Sequence, residues 1–480
     1  MIDTSGDVNI APNRKDNEFS TALHQRGNEF FRAENWSEAM TWYNRSLSYA
    51  EIGSENVALA YSSRSACFFN MELYEKALID IETAKSANVP EHLLVQLEQR
   101  QQECHELMQT AQKPKVTRDF KLSYEANKNF PCMVDVVEIK YNQEFGRHLV
   151  AKCDIPVDKI VLMEKEFIAA IDNDRMLCCN CSRMNSNFIA CPQCPAVVFC
   201  DLDCMNQNLW HKWECGSSVS QLNFNMKLHV RAVLMAIESF RSVEDLMEFV
   251  GSALLEDPGT IPTSMHDLKS KYHFFFNLKR SPQKVDDIIA AYTHFKCIQM
   301  CPKINALFDG EEKTRFLMHL VFHHTLIIQT NSIGGDDFKS IHNVFSMVNH
   351  SCAPNLHNYI VGNHGIFKTI RYVKMGEQLC FNYLGSFNEK THERQKELES
   401  NWKFICKCAV CEPTNNIVNA RLASDPRFQF VHDNVHDESL ALDLLDKCRQ
   451  FLNEHGQLAW SAEVGFISQV FAGLITALED

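Results

Sequence analysis

Asn349-His350-Ser351-Cys352-Ala353-Pro354-Asn355 is the stretch on which the reading of this chain turns, because it sets a thiol just behind an Asn-His pair. Gly376-Glu377 and Tyr383 follow, and Cys406, Cys408 and Cys411 close the segment as Cys-x-Cys-x2-Cys. Four thiolates in a tetrahedral array satisfy Zn2+, so Cys352 and these three cysteines form one ligand set. That set would pin the late segment over a pocket built by the earlier one. Taken singly, His350 reads as a packed loop histidine and Tyr383 as core. In this order, with this cysteine pattern, they read as the active end of an enzyme.

Upstream, Cys178, Cys181, Cys191, Cys194, Cys200, Cys204, His211 and Cys215 follow one another within 38 residues as C-x2-C, C-x2-C, C-x3-C and H-x3-C. Two short knuckles and two helix-turn spacings bind two tetrahedral zinc ions. The segment has too few apolar residues to fold without them. Cys179 is excluded as a ligand, because pairing it with Cys181 leaves one intervening residue where a knuckle needs two.

Composition bounds the rest. At 480 residues, 45% of them hydrophobic, the chain is long enough for about three cored domains. A formal charge of -14 argues against direct nucleic-acid binding, which needs clustered Lys and Arg to neutralise phosphates. An acidic surface attracts lysine-rich tails, though weakly as a signal. Met1-Ile2-Asp3-Thr4-Ser5-Gly6-Asp7 has no basic run ahead of an apolar core, so no secretory signal is expected, and no apolar stretch is long enough for a membrane span. Twenty cysteines then read as thiolate ligands and buried thiols rather than disulfides, and the expected location is cytoplasmic and nuclear.

Residues 23–84 carry two copies of a helix-turn-helix pattern. Gly27, Phe30, Ala39, Tyr43 and Ser46 in the first align with Ser65, Phe68, Ala77, Ile81 and Ala84 in the second, 38 residues on. The pattern resembles the tetratricopeptide repeat, stretched around Ile52-Gly53-Ser54-Glu55. Helices are expected over 58–70 and 74–87, with 91–111 as a solvated cap. Some such repeats clamp carboxylate tails with Lys and Asn; here His24, Asn28 and Ser63 hold those positions, which argues against a strong clamp. Gln112-Lys113-Pro114-Lys115-Val116 reads as the linker.

Val- and Ile-rich segments at 133–141 and 148–171, with Gly146 between them, read as strands of a sheet. Residues 226–329 read as mainly helical, with Val230, Val233, Leu234 and Ile237 on one apolar face and Phe316, Leu317, Leu320 and Val321 on another. Strands return at 358–361 and 366–373 around a Gly362-Asn363-His364-Gly365 turn. Helices are expected over 438–453 and 462–478, with Leu440, Leu442, Leu444 and Leu445 as core candidates.

A sheet interrupted by a two-zinc module and a helical insert, then Asn-His-Ser-Cys-x-Pro-Asn, Gly-Glu and a cysteine-rich tail, resembles the SET and MYND domain-containing methyltransferase family. The resemblance covers roughly residues 130–415, and the repeats ahead of it suggest the tetratricopeptide-bearing branch. It implies an α+β fold: a SET β-sheet core split by a MYND zinc finger and a helical insert, flanked by α-helical tetratricopeptide-like repeats and a short helical C-terminal region. The implied division is repeats and cap at 18–112, SET N-terminal part at 130–172, finger at 178–215, helical insert at 220–330, SET core at 331–385, post-SET zinc segment at 386–413 and C-terminal helices at 414–480. It further implies that the finger's ligands interleave, Cys178, Cys181, Cys200 and Cys204 holding one ion and Cys191, Cys194, His211 and Cys215 the other, for three zinc ions in all.

The same resemblance implies S-adenosylmethionine as cofactor and a protein with an accessible lysine as substrate. Asn349, His350 and Asn331 match polar cofactor contacts, Phe404 the aromatic that covers the adenine, and Tyr383 the hydroxyl near the transferred methyl. The first cofactor loop reads Gly146-Arg147-His148, with histidine where the family usually has a second glycine. The C-terminal region is short for the family's usual roof over the substrate cleft, so the N-terminal repeats are expected to share that role. MYND fingers usually bind proline-containing peptides or pack on their host domain. The expected activity is protein-lysine N-methylation, and the rival is a non-catalytic scaffold recruiting partners through the repeats and finger.

Overall fold

The computed structural model describes residues 14–110, 120–171, 177–184, 186–257, 259–282, 284–335, 338–384, 390–412, 420–456, 458 and 460–479. The linker read at 112–116 and the N-terminal stretch 1–7 lie outside them.

The N-terminal region is a stack of helices: α1 (Asn17–Arg32), α2 (Trp36–Tyr49), α3 (Glu55–Asn70), α4 (Tyr74–Ser86) and α5 (Glu91–Thr110). Asp16 and Asn35 start α1 and α2 by accepting hydrogen bonds from the backbone N–H groups of Phe19 and Glu38. Both hairpins turn on a left-handed glutamate, Glu34 and Glu72, so the 38-residue offset that aligns Ala39 with Ala77 also holds at the turns. Gly27 lets α1 close on α2, since a Cβ there would lie 2.6 Å from Tyr43 Cε1. Ala39, Tyr43, Phe68 and Ala77 are buried between the hairpins, and α5 turns mostly outward.

The strands expected of a single sheet fall into separate small sheets. β1 (Val137–Asn142) pairs with β2 (Gly146–Ala151), β3 (Ile160–Lys165) joins a later hairpin, and β4 (Ile168–Ile171) joins another sheet. Residues 152–159 break the run, so 148–171 cannot be one continuous element. The cysteine-rich module holds β5 (Ile189–Ala190), β6 (Val198–Phe199), α6 (Leu202–Gln207) and α7 (His211–Glu214). The insert is helical: α8 (Phe224–Glu238), α9 (Val243–Ala253), α10 (Leu268–Phe276), α11 (Val285–Gln299), α12 (Pro302–Leu307) and α13 (Glu311–Asn331). Val230, Val233 and Leu234 of α8 and Leu317, Leu320 and Val321 of α13 are buried in the main core, with Leu149, Ile168, Phe345 and Phe367 from the sheet side.

β7 (Ile333–Gly334) and β8 (Phe338–Ile341) complete the sheet of β4. β9 (Asn349–His350) comes next, then the hairpin of β10 (Leu356–Val361) and β11 (His364–Thr369), whose outer partner is β3. The hairpin turn is shorter than the sequence suggested. Val361 pairs with His364 across a two-residue loop whose first residue, Gly362, has φ 59°. That is the position where a tight hairpin needs positive φ, so His364 and Gly365 enter the strand.

β12 (Cys380–Phe381) and α14 (Thr391–Trp402) lead to the last cysteines, and α15 (Ala420–Ala423), α16 (Pro426–Asn434), α17 (Ala441–His455) and α18 (Ala462–Glu479) finish the chain. These C-terminal helices bury Val431, Phe451, Ile467 and Phe471 against Ile160, Tyr359 and Ile366. Leu444 is 1% exposed but Leu442 is 67% exposed, so Leu442 is not core: two residues along a helix are about 200° around its axis. Among the described residues no helix is long and apolar enough to cross a membrane.

Candidate active site

The site is assembled by a short parallel pairing. β9 lies beside β12, Asn349 opposite Cys380 and His350 opposite Phe381, although about thirty residues separate them in sequence. Asn355, the last residue of the motif, locks the crossing: its Nδ2 donates to the Gln378 carbonyl at 2.9 Å and its Oδ1 accepts from Cys380 N–H at 2.8 Å. Behind it, the buried Glu164 carboxylate accepts from the backbone N–H groups of Asn343, Val344 and Phe345, fixing the turn that delivers Asn349. Burial raises Glu164 to about 7 despite those donors.

The pairing sets Tyr383 against His350. Tyr383 N–H donates to His350 Nδ1 at 3.0 Å. With that nitrogen accepting, His350 carries its proton on Nε2, which lies 3.2 Å from Cys352 Sγ. Burial lowers its pKa to about 4, so the ring is neutral. Tyr383 Oη donates its single proton to the Val348 carbonyl at 2.9 Å. Burial pushes this phenol above its ordinary value, so it stays neutral, with its oxygen lone pairs as acceptors. Phe404 closes the aromatic wall, 5.9 Å from the His350 ring and 6.4 Å from Tyr383, and Trp402 lies 5.1 Å from Tyr383.

The first loop is tied to the same place. Gly146 opens β2 at φ 63°, with open space where a Cβ would stand. Asn349 Nδ2 donates to the Phe145 carbonyl at 3.0 Å, joining loop to motif. Arg147 donates to the Asn277 carbonyl, and its Nη1 is buried without a hydrogen-bond partner among the described residues. His148 is buried against Phe145, its Nδ1 2.9 Å from the Gly146 carbonyl. Asn331 ends α13 with both amide hydrogens taken, by the carbonyls of Lys279 and Ile327. Lys279 in turn reaches the Trp402 carbonyl at 3.4 Å.

Residues 277–279 therefore strap the Arg147 loop, Asn331 and Trp402 together. Sequence reasoning missed this strap, because it is the short stretch just past the end of a Phe-rich helix, and it missed Trp402, which has no spacing signal.

Three sets of four ligand residues come together, the donor atoms of each within 4.8 Å of one another: Cys178, Cys181, Cys200 and Cys204; Cys191, Cys194, His211 and Cys215; and Cys352, Cys406, Cys408 and Cys411. All-thiolate and thiolate-imidazole sets of four fit tetrahedral Zn2+. Cys179 stands outside them: burial raises its thiol to about 11, and its carbonyl accepts from Asn208, whose Oδ1 accepts the His211 N–H. Arg394, itself buried, points Nη2 at Cys411 Sγ and offsets the excess negative charge of the third set. That set holds the segment carrying Phe404 beside His350.

A SET domain family model matches residues 146–384, which contain the loop, the motif and Tyr383. The Danio rerio protein-lysine N-methyltransferase SMYD4 is 26% identical over 255 residues, 46% of this chain and 33% of that protein. SMYD4 of Pongo abelii is 20% identical over 559 residues, 86% of this chain and 69% of that protein. The chain carries a SET domain and is similar to SET and MYND domain-containing methyltransferases. Mouse histone-lysine N-methyltransferase Smyd1 is also similar, 22% identical over 65% of this chain and 64% of that protein. The matched part is thus about a third of the zebrafish relative and roughly two thirds of the others.

Proposed function

We propose that this chain transfers a methyl group from S-adenosylmethionine to a lysine side chain of a protein. The observation that carries the reading is the parallel β9–β12 pairing, which sets the Tyr383 hydroxyl and the neutral His350 in one aromatic pocket. The residues present suit the cofactor: a buried guanidinium nitrogen of Arg147 without a partner among the described residues, an open Gly146 backbone, and Phe404 as an aromatic cover. When bound, S-adenosylmethionine supplies a methyl on a sulfonium sulfur. Arg147, Asn349 and His350 would hold it, and Phe404 would pack its adenine.

The protein's own contribution is position and polarity. Because Tyr383 spends its proton on Val348, its oxygen would act as an acceptor that aligns the lysine N–H. A neutral phenol is not a base, so the lysine amine must arrive already deprotonated. Cys352, Cys406, Cys408 and Cys411 would hold a zinc ion that fixes the segment carrying Phe404. The N-terminal hairpins fit tetratricopeptide-like repeats, on the strength of the Gly27–Tyr43 contact and the shared left-handed turn.

Calorimetric titration of the intact protein with S-adenosylmethionine tests the reading. We expect saturable one-to-one binding, weakened about tenfold or more in Arg147→Ala, since a hydrogen bond to a charged group is worth about 1.5–3 kcal/mol. No binding heat with zinc-loaded wild type would defeat it and favour the scaffold.

A further inference from the structure

The N-terminal helices dock on the zinc finger. Arg64 of α3, 1% exposed, forms a two-pronged pair with Asp80 of α4 at 2.6 and 2.7 Å. Its remaining donor, Nη1, reaches Asn44 Oδ1 at 2.8 Å and the backbone carbonyl of Phe188, in the finger, at 3.0 Å. From the finger side, Asn187 Nδ2 donates to Asp80 Oδ1 at 2.7 Å and to the Lys76 carbonyl at 2.8 Å. Next along, Ala190 packs into the apolar cluster of Leu47, Ala60, Tyr61 and Ile81. The buried ion pair of the helices is thus completed by two finger residues.

This seat depends on both finger metal sets. Residues 187–190 run directly into Cys191, a ligand of one set, and β5 pairs with β6, which runs directly into Cys200, a ligand of the other. The finger's apolar core is small, with Phe188, Val198 and Phe199 packed among the ligand cysteines. Such a module folds when its metals bind. The N-terminal region contributes a cation to the same contact: Lys15, just ahead of α1, lies within electrostatic reach of Cys191, Cys194 and Cys215. Zinc-bound sets of four thiolates, or three with an imidazole, keep excess negative charge for it to face. By contrast, the helices have a core of their own around Tyr43 and Phe68.

We infer that the finger edge at residues 187–190 is the docking seat of the chain's own N-terminal helices, and that zinc in the finger is what holds those helices in place. The finger then works here as an intramolecular bracket, and this edge is not open to an outside peptide. This goes beyond the methyl-transfer reading and does not depend on it.

The full chain tests it with two variants. Ala190→Glu pushes a charge into the Leu47–Ile81 cluster, and Lys15→Glu reverses the cation facing the Cys191 set without touching the finger's sequence. Zinc content by elemental analysis, hydrogen exchange over 60–84 and 186–190, and the radius of gyration from solution scattering are read together. We expect zinc content unchanged in Lys15→Glu, exchange on both sides of the contact faster by about tenfold, and a larger radius. Stripping zinc from wild type with a chelator should produce the same opening while the far-ultraviolet helical signal persists. If either variant keeps its zinc with unchanged exchange and radius, the seat is refuted. If chelated wild type stays closed, the dependence on zinc is refuted.

Discussion

Arg231→Met is the perturbation with the largest expected consequence for the joint between finger, insert and sheet. Arg231 on α8 donates from Nε and Nη2 to the two Glu214 oxygens at 2.8 and 2.9 Å, and from Nη1 to the Ala169 carbonyl at 2.7 Å. Its guanidinium also lies 5.0 Å from the Trp210 ring centroid. Glu214 sits between the ligands His211 and Cys215, and both side chains of the pair are almost wholly buried. Methionine keeps the stem's volume but leaves the carboxylate buried against a missing charge and strips the Ala169 carbonyl of its donor.

Breaking a buried pair from one side costs about 3–5 kcal/mol. For a domain of this size that corresponds to a fall of roughly 10 °C in melting temperature. Zinc should also leave the finger faster under a chromogenic chelator, since the strand of ligands loses its brace. Arg231→Met/Glu214→Leu removes the orphaned charge and should recover most of the loss, because apolar replacements of buried pairs are often neutral. Thermal unfolding and chelator-competition rates on wild type, single and double variants give the answer. A single variant within about 1 kcal/mol of wild type, or a double variant as unstable as the single, would refute the reasoning.

Cys406→Ser should lower the zinc count from three to two per chain and weaken cofactor binding through a loosened Phe404, leaving the finger ions in place; elemental analysis with calorimetry checks both. The helical insert should be acid-sensitive. Burial lowers His229 to about 3 and His294 to about 4, and their rings stack 3.5 Å apart. Unfolded histidine titrates near 6.5, so the folded state binds fewer protons below that pH. Stability is therefore full above about 6.5 and falls as pH drops toward 4, by about 1.4 kcal/mol per pH unit for each such imidazole. Melting curves between pH 7.5 and 4.5 should show that slope, and a flat profile would contradict it.

What the sequence disclosed follows the reach of its signals. The candidate ligands were legible because thiolate chemistry fixes both residue type and spacing, their division into interleaved sets came only with the family resemblance, and the helices of the insert were legible because apolar faces recur every three to four residues, as at Val230, Val233 and Leu234. Contacts between distant segments carry no such local mark. Nothing around Cys380 announces its bridge to Asn349, nothing in Asn277-Leu278-Lys279 marks a strap, and Asn187 does not advertise Asp80 as its partner. Local errors have local causes: Leu442 lies on the wrong side of its helix, and His364 was given to a turn that needs only Gly362 and Asn363.

The central claim is methyl transfer at Tyr383, and the direct measurement is labelled-methyl incorporation into proteins from cells lacking this chain. Wild type and Tyr383→Phe are compared with saturating S-adenosylmethionine. The phenylalanine keeps the packing against His350 and Phe404 but removes the oxygen that Tyr383 holds in place by its bond to Val348. Loss of one oriented polar group of this kind costs about 3 kcal/mol, so the account predicts labelling by wild type and a rate about a hundredfold lower in the variant, with cofactor affinity nearly unchanged. Equal labelling by both proteins, or none by zinc-loaded wild type, would contradict it.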